Sequence, residues 1–330
     1  VWHELRPIDV SLGWAIFGIV LFEIGLERKL VPLRWQGGVA LCASFVRIFF
    51  VNLNATGEPG HLSPRVYSIV PLALIYLYVY WRTRAREEAF GPSRWKQLAP
   101  MLFSGLGVAA IAFLIRFEAP APYVVVFWAA LSIVLLAVAH WNHEALFLYQ
   151  AVVVGISTTV RAMMYNLITP SYFSQTDVRA RTIGEVVALF CVALFFAFRL
   201  RAHPPADMIG DGAGWRRILR QLSVRPEQLF FFAGVTLLTA LIAVEMKHGE
   251  ITVGWGVEAV LVFVLALIVG ERSFRLCGLG LLLLCLAKLC IDVWNMNTSD
   301  RTISMTVLGA VILLISFLYN RYREAIRKYL

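Results

Sequence analysis

The chain has 330 residues, of which 59% are hydrophobic and only 15% are charged. An ordinary soluble domain is about 25% charged, so this composition excludes a soluble globular protein. The net charge of +9 would suit nucleic-acid binding in a soluble chain. Here apolar runs of helix length recur throughout, so we expect a membrane protein whose basic residues face the cytoplasm and which binds no nucleic acid.

Eleven apolar segments are long enough to cross a membrane as helices. They are residues 10–26, 33–53, 65–82, 97–117, 121–140, 144–167, 184–199, 228–247, 251–269, 274–294 and 302–320. None shows the short alternating pattern of an outer-membrane barrel strand. The sequence therefore predicts an all-α fold, a polytopic membrane helix bundle with about 11 transmembrane helices that form one domain over residues 1–330.

Basic residues divide unequally between the two sides of this predicted bundle. Loops after the first, third, seventh and ninth segments, together with a basic tail at 321–330, carry 20 of the 30 Lys and Arg residues, and the opposite side carries seven. The positive-inside rule then places the C-terminus in the cytoplasm and the N-terminus outside.

The longest loop on the cytoplasmic side contains an amphipathic pattern at residues 214–222, with Trp215 on its apolar face. Such a helix binds the membrane interface and favours anionic lipid, so we expect anionic lipid at the cytoplasmic face. A peptide target for a partner helix has the same pattern, and this alternative ranks lower because membrane segments flank the stretch on both sides.

Three of the apolar segments contain a base at an equivalent position, and a tryptophan precedes each base by 33 residues. The bases are Arg47, Arg161 and Lys288, and the tryptophans are Trp14, Trp128 and Trp255. These spacings predict parallel four-helix repeats at residues 9–117, 123–247 and 250–320, the last without its fourth helix. The tryptophans are typical of an aromatic belt at the membrane interface. Asn52, Asn166 and Asn295 close the same segments and suggest caps or interhelical hydrogen bonds.

A base inside a membrane-length apolar run is costly and is a functional-site hypothesis by default. In each repeat, one further arginine lies at the start of the third helix. The predicted lipid- or substrate-binding set is Arg47, Arg161, Lys288, Arg65, Arg181 and Arg301. Since Arg and Lys suit phosphate and carboxylate groups, we expect an anionic amphiphile, a lipid headgroup or a lipid-linked glycan, to be bound or translocated in the outer half of the membrane.

The alternative is a structural role for the same bases. A cation near a helix C-terminus complements the helix dipole, and its long side chain can reach the interface as an anchor. The chain would then be a structural or scaffold subunit of a membrane complex, with other membrane subunits as partners. Lys288 can pair with Asp292 or with Glu258, and Glu258 is alternatively a proton-coupling carboxylate.

Catalytic and metal signatures are missing from the sequence. There is no Walker loop, GxSxG, HExxH or glycine-rich dinucleotide turn, so we assign no catalytic residue, and enzymatic activity is left open but not favoured. The five cysteines form no CxxC, and His140 and His143 have no third ligand in sight. We therefore expect no metal site and no cofactor.

The C-terminal part contains a more specific pattern. It runs Glu271-Arg272-x-x-Arg275-x-x-Gly278, then Lys288-x-x-x-Asp292-x-x-x-Asn295, then Arg301-x-x-Ser304. This pattern resembles the C-terminal signature of a large bacterial "predicted membrane protein" family, a domain of unknown function. The resemblance implies a bacterial inner membrane location and supplies no activity. Because the chain begins at Val1 without Met, we also expect a C-terminal piece of a longer protein.

Overall fold

A computed structural model of the chain describes residues 9–54, 63–85, 94–168, 176–205, 215–292 and 298–321. Every regular element in these ranges is helical, and two short stretches are π-helical. In chain order the elements are α1 (Asp9–Glu27), α2 (Val31–Arg47), π1 (Ile48–Asn52), α3 (Pro64–Ala85), α4 (Arg94–Glu118), α5 (Val124–Asn142), α6 (Ala145–Arg161), π2 (Ala162–Leu167), α7 (Thr176–Ala202), α8 (Trp215–Val224), α9 (Pro226–Glu245), α10 (His248–Val269), α11 (Arg272–Asp292) and α12 (Thr298–Arg321).

Eight helical stretches in the described ranges are long and apolar enough to cross a membrane. They are Asp9–Glu27, Leu98–Glu118, Val124–Asn142, Ala145–Leu167, Val178–Ala202, Pro226–Glu245, Glu250–Val269 and Arg272–Ile291. The predicted all-helical membrane fold is thus confirmed, whereas the count of about 11 spans stays a prediction.

The three remaining predicted spans are also helical. Each is either too short or too polar to count among the eight, for a different reason. The α-helical part of the second segment has only 17 residues before π1 begins. The third segment, α3, is diluted by four tyrosines and by arginines in its last turn. In α12 the apolar stretch Arg301–Phe317 is shorter than a full span.

Local sequence explains several helix boundaries. Pro226 opens α9, where its fixed φ suits the first helical turn and its missing N–H is not needed. Gly270 ends α10 with φ 76°, a left-handed conformation that closes a helix without a Cβ penalty. The Glu250 carboxylate accepts a hydrogen bond from the Lys247 backbone N–H at 3.3 Å, which satisfies one donor at the start of α10.

The helices form two compact units, Val1–Leu131 and Ser132–Leu330, whose boundary falls within α5. In unit 1 (Val1–Leu131), α1 crosses α2 where Gly18 and Gly37 bring the two backbones together. A Cβ on Gly37 would lie 2.6 Å from the Gly18 carbonyl oxygen, so only glycine permits this approach. Nearer the C-terminal end of α1, Arg82 of α3 donates to both carboxylate oxygens of Glu23, at 2.8 and 2.6 Å.

In unit 2 (Ser132–Leu330), α10 packs on α11 in a similar way. A Cβ on Gly278 would lie 3.1 Å from the backbone nitrogen of Phe263. Phe231 of α9 and Phe274 of α11 stack face to face, with ring centroids 3.6 Å apart, within a buried cluster that includes Ala266. Helix α7 packs along α9, and α12 packs along α10.

The predicted amphipathic stretch is helical and forms α8. Its apolar residue Trp215 begins the helix, but the side chain of Trp215 lies outside the described residues, as does the tail at 322–330. The attraction of this segment to anionic lipid stays a prediction.

Candidate anion-binding positions

The helix geometry changes directly after two of the three predicted bases. Helix α2 ends at Arg47 and continues as π1, and α6 ends at Arg161 and continues as π2. A π-helical turn is rare and is frequent at functional sites, because it widens the helix and re-aims side chains. Arg47 and Arg161 therefore occupy the same local geometry in two different units.

Buried asparagines hold both π segments in place. Asn52 ends π1, and its Oδ1 accepts a hydrogen bond from the Ser11 hydroxyl of α1 at 2.6 Å. Asn166 lies in π2, and its Nδ2 donates to the Thr182 hydroxyl of α7 at 3.3 Å. Both asparagine side chains are fully buried. The interhelical hydrogen bonds suggested by the sequence are thus present at both positions, while Asn295 lies outside the described residues.

Arg47 lies in an open groove on unit 1 with a volume of about 430 Å3. The groove is lined by Trp14, Ala43, Val46, Arg47, Phe50 and Val51. The Cζ atom of Arg47 lies 5.6 Å from the centroid of the Trp14 ring, within cation–π range. Phe50, one turn beyond Arg47, is 76% exposed. The groove thus places one guanidinium beside an aromatic ring on an otherwise apolar surface.

Arg161 has the corresponding surroundings in unit 2. Its Cζ lies 4.6 Å from the centroid of the Tyr165 ring, which here comes from the same segment. Met164 is 63% exposed and occupies the position that Phe50 occupies relative to Arg47, and exposed Val160 corresponds to Val46. The combination of base, aromatic ring and exposed apolar side chains is therefore present twice.

Lys288 resembles the two arginines less closely. It is half-buried within α11, which continues as an α-helix to Asp292, and Ile291 beyond it is 69% exposed. The Asp292 side chain lies outside the described residues, so its predicted pairing with Lys288 stays a prediction. Buried Glu258 accepts a hydrogen bond from the Thr239 hydroxyl of α9 at 2.9 Å.

Arg65, in the first turn of α3, contacts residues in the last turn of α4. Its guanidinium donates to the Phe117 carbonyl at 3.0 Å and lies 3.5 Å from the Glu118 carboxylate. Glu118 also accepts a hydrogen bond from the Ser63 hydroxyl at 2.6 Å. These contacts join the first turn of α3 to the last turn of α4, so Arg65 holds two helices together.

In unit 2, Arg179 makes the kind of ion pair between helix ends that Arg65 makes in unit 1. The sequence pattern had suggested Arg181 for this position. Arg179 near the start of α7 lies 3.2 Å from Glu245 at the end of α9, the same relation between helix ends as in unit 1. Arg181 is largely exposed and pairs with Glu185 four residues later. Spacing could have found Arg179, because it follows Arg65 by 114 residues, as Arg161 follows Arg47. Arg301 lies half-buried in the first turns of α12.

Two of the predicted interface tryptophans make the same hydrogen bond. The indole N–H of Trp128 donates to the Ala112 carbonyl in unit 1, and that of Trp255 donates to the Thr239 carbonyl in unit 2, both at 3.0 Å. Each bond joins a helix to the one before it across 16 residues of sequence. These tryptophans therefore have a packing role besides any contact with lipid.

His140 and His143 lie with ring centroids 6.4 Å apart near the end of α5. Within the ranges that the structure covers, no group of three or more His, Cys, Asp or Glu side chains is arranged to hold a metal ion.

Comparison with known proteins finds a family match for the C-terminal part of the chain. The family model described as "Predicted membrane protein (DUF2339)" matches residues 249–322, the part that contains α10, α11 and α12. No curated protein and no solved structure matches the chain. The C-terminal part of the chain thus matches a family of predicted membrane proteins of unknown function, the family that its sequence pattern resembles.

Proposed function

We propose that this membrane protein binds an anionic amphiphile, a lipid headgroup or a lipid-linked glycan, at Arg47, Arg161 and Lys288. The observation that carries the proposal is the arrangement shared by Arg47 and Arg161. Each base lies at an α-to-π junction, beside an aromatic ring and next to an exposed apolar residue one turn on.

The chemistry of such a position fits an amphiphile. A guanidinium donates charge-assisted hydrogen bonds to phosphate or carboxylate oxygens, while the exposed apolar side chains beside it suit an acyl chain. In the groove of Arg47, the side chains of Val46 and Phe50 supply that apolar surface. A soluble anion would gain nothing from them, so a lipid-like ligand makes fuller use of the site.

Internal spacing supports a repeated site. Trp14 and Trp128, Arg47 and Arg161, and Asn52 and Asn166 are each 114 residues apart. Trp128 and Trp255, Arg161 and Lys288, and Glu118 and Glu245 are each 127 residues apart. We infer that the four-helix repeats 9–117, 123–247 and 250–320 present one base each at one membrane depth.

We further propose that this depth is the outer half of a bacterial inner membrane. Lys and Arg are in excess in the loops after the first, third, seventh and ninth predicted segments and in the C-terminal tail. This excess supports a cytoplasmic C-terminus and an external N-terminus. Arg65 and Arg181 leave the proposed ligand set, because Arg65 binds Phe117 and Glu118 and Arg181 pairs with Glu185.

The test is retention of anionic phospholipid by the purified chain, measured by native mass spectrometry. The test variant carries Arg47→Gln, Arg161→Gln and Lys288→Gln. A matched control removes the same charge at exposed bases elsewhere, with Arg28→Gln, Arg84→Gln and Arg272→Gln.

We expect the test variant to lose bound anionic lipid and the control to keep it. A hydrogen bond to a charged group contributes about 1.5–3 kcal/mol, so each lost site should weaken binding by about tenfold or more. Equal lipid retention by both variants, with unchanged unfolding temperatures, would refute the proposal.

The second candidate function is a scaffold subunit of a membrane complex. The contact of Arg65 with the Phe117 carbonyl favours it, since a purely structural role predicts bases bound to backbone carbonyls. On this alternative the triple Gln variant keeps its lipid and loses co-purifying membrane subunits. Lipid analysis and subunit analysis of one preparation therefore separate the two functions.

A further inference from the structure

Glu258 is an acid inside the candidate span Glu250–Val269, and its side chain is only 2% exposed. One carboxylate oxygen, Oε1, accepts a hydrogen bond from the Thr239 hydroxyl of α9 at 2.9 Å. The other oxygen, Oε2, is buried and has no hydrogen-bond partner among the described residues. From this geometry we propose that Glu258 is a proton-binding site in the interior of unit 2 and that it holds a proton at neutral pH.

Two other buried or half-buried acids of the chain show what Glu258 lacks. Glu23 is bound at both oxygens by Arg82, and Glu227 accepts a hydrogen bond from Arg201 at 2.9 Å. In each case an arginine balances the negative charge. Glu258 contacts a neutral hydroxyl instead, so its ionised form has no countercharge of this kind.

The groups that face Glu258 come from three packed helices. Helix α9 contributes the Thr239 hydroxyl, and α11 contributes Cys277, which packs in the cluster that contains Ala259, the neighbour of Glu258. Helix α12 meets α10 through apolar residues such as Val311 and Ile315, in a cluster with Phe263. None of these groups carries a positive charge.

Lys288, the base predicted to pair with Glu258, lies at another level of the same helix pair. Gly278 lies against Phe263, and the Cys285 thiol donates to the Thr252 carbonyl at 3.1 Å. This antiparallel register places Glu258 between those two contacts. Lys288 lies beyond the second contact, almost a full turn past Cys285.

Comparison with the preceding repeat shows that packing alone does not require the acid. The positions 127 residues before Glu258 and Thr239 are Leu131 and Ala112. There too an indole N–H donates to the carbonyl of the facing helix, at Ala112 in one case and at Thr239 in the other. The same helix contact therefore forms with a Leu and Ala pair, and the Glu and Thr pair adds a polar function to it.

The missing countercharge makes a proton the expected ligand of Glu258. An ionised carboxylate that is removed from water and has no countercharge is strongly unfavourable, and such a group takes up a proton instead. The protonated acid is neutral and still accepts the hydrogen bond from Thr239. Release of the proton then requires the α9–α10 contact to open toward water, which couples protonation to movement of these helices.

The experiment uses the full chain in detergent or lipid nanodiscs at neutral pH. Infrared spectroscopy detects the carbonyl stretch of protonated carboxyl groups, and a hydrophobic carbodiimide modifies such groups within membranes. Modified residues are identified by peptide mass spectrometry. Glu23→Gln and Glu227→Gln serve as matched controls for Glu258→Gln, because their acids are paired with arginines.

We expect the infrared band to disappear in Glu258→Gln and to persist in both controls, and the carbodiimide to modify Glu258 in preference to the two paired acids. An unchanged band in Glu258→Gln, or equal modification of all three acids, would overturn the proposal. Protection of Glu258 by sodium at constant pH would also overturn it, in favour of a metal cation. Labelling of the unmodified chain decides the question even if Glu258→Gln does not fold.

Discussion

Replacing Gly37 with alanine should destabilise unit 1 at the crossing of α1 and α2. The added Cβ would lie 2.6 Å from the Gly18 carbonyl oxygen and 2.8 Å from the backbone nitrogen of Phe22. Both are backbone atoms of α1, so no side-chain rotation relieves the contact. The helices must separate, and fully buried neighbours such as Phe22 and Leu41 would lose packing contacts.

The expected change in the free energy of unfolding results from two opposing effects. Overpacking a well-packed site costs about 1–3 kcal/mol, while alanine is favoured over glycine within a helix by about 1 kcal/mol. The net loss for Gly37→Ala is therefore up to about 2 kcal/mol in the free energy of unfolding. Gly105→Ala in α4 is the matched control, because no atom lies within 4 Å of the added Cβ and only the helix preference changes.

The assay is the midpoint of unfolding by an added denaturing detergent, followed by helix content for both variants in the same lipid–detergent mixture. We expect the Gly37→Ala midpoint to fall below that of the unmodified chain and the Gly105→Ala midpoint to stay level or rise. Equal midpoints for the two variants would refute the close crossing of α1 and α2.

Two further predictions concern single polar contacts. Arg82→Gln should destabilise the chain more than the double change with Glu23→Gln, since the single change leaves the carboxylate without its bidentate partner; a double-mutant cycle on unfolding midpoints should show a coupling of about 1 kcal/mol, and zero coupling would contradict the pair. Trp128→Phe and Trp255→Phe should each cost about 1 kcal/mol in unfolding free energy through loss of one indole hydrogen bond, and unchanged midpoints in both would contradict a packing role.

The sequence predicted helix positions well because apolar runs of this length bury their backbone polar groups only as helices in a membrane. Each of the eleven predicted segments forms a helix over most of its described residues. The span count was harder to predict, since α3 and α12 depend on the balance between apolar length and polar content. The sequence identified Arg47 and Arg161 as equivalent positions of two repeats. It did not identify Arg179 as the residue equivalent to Arg65.

The π segments could not be predicted from sequence. Residues 48–52 and 162–167 share only an asparagine at the same distance from the base, and nothing in their composition departs from an α-helical pattern. Their geometry depends on tertiary partners, namely the hydrogen bonds of Asn52 to α1 and of Asn166 to α7. Likewise, the partner of Glu258 is Thr239, which lies 19 residues away on another helix.

The most direct test of the proposed function is an experimental structure of the chain in nanodiscs that contain anionic phospholipid. We expect density for a phosphate within about 3 Å of the guanidinium groups of both Arg47 and Arg161, with an acyl chain along Phe50 or Met164. Guanidinium groups that bind only protein carbonyls, with no phosphate density at either position, would contradict it.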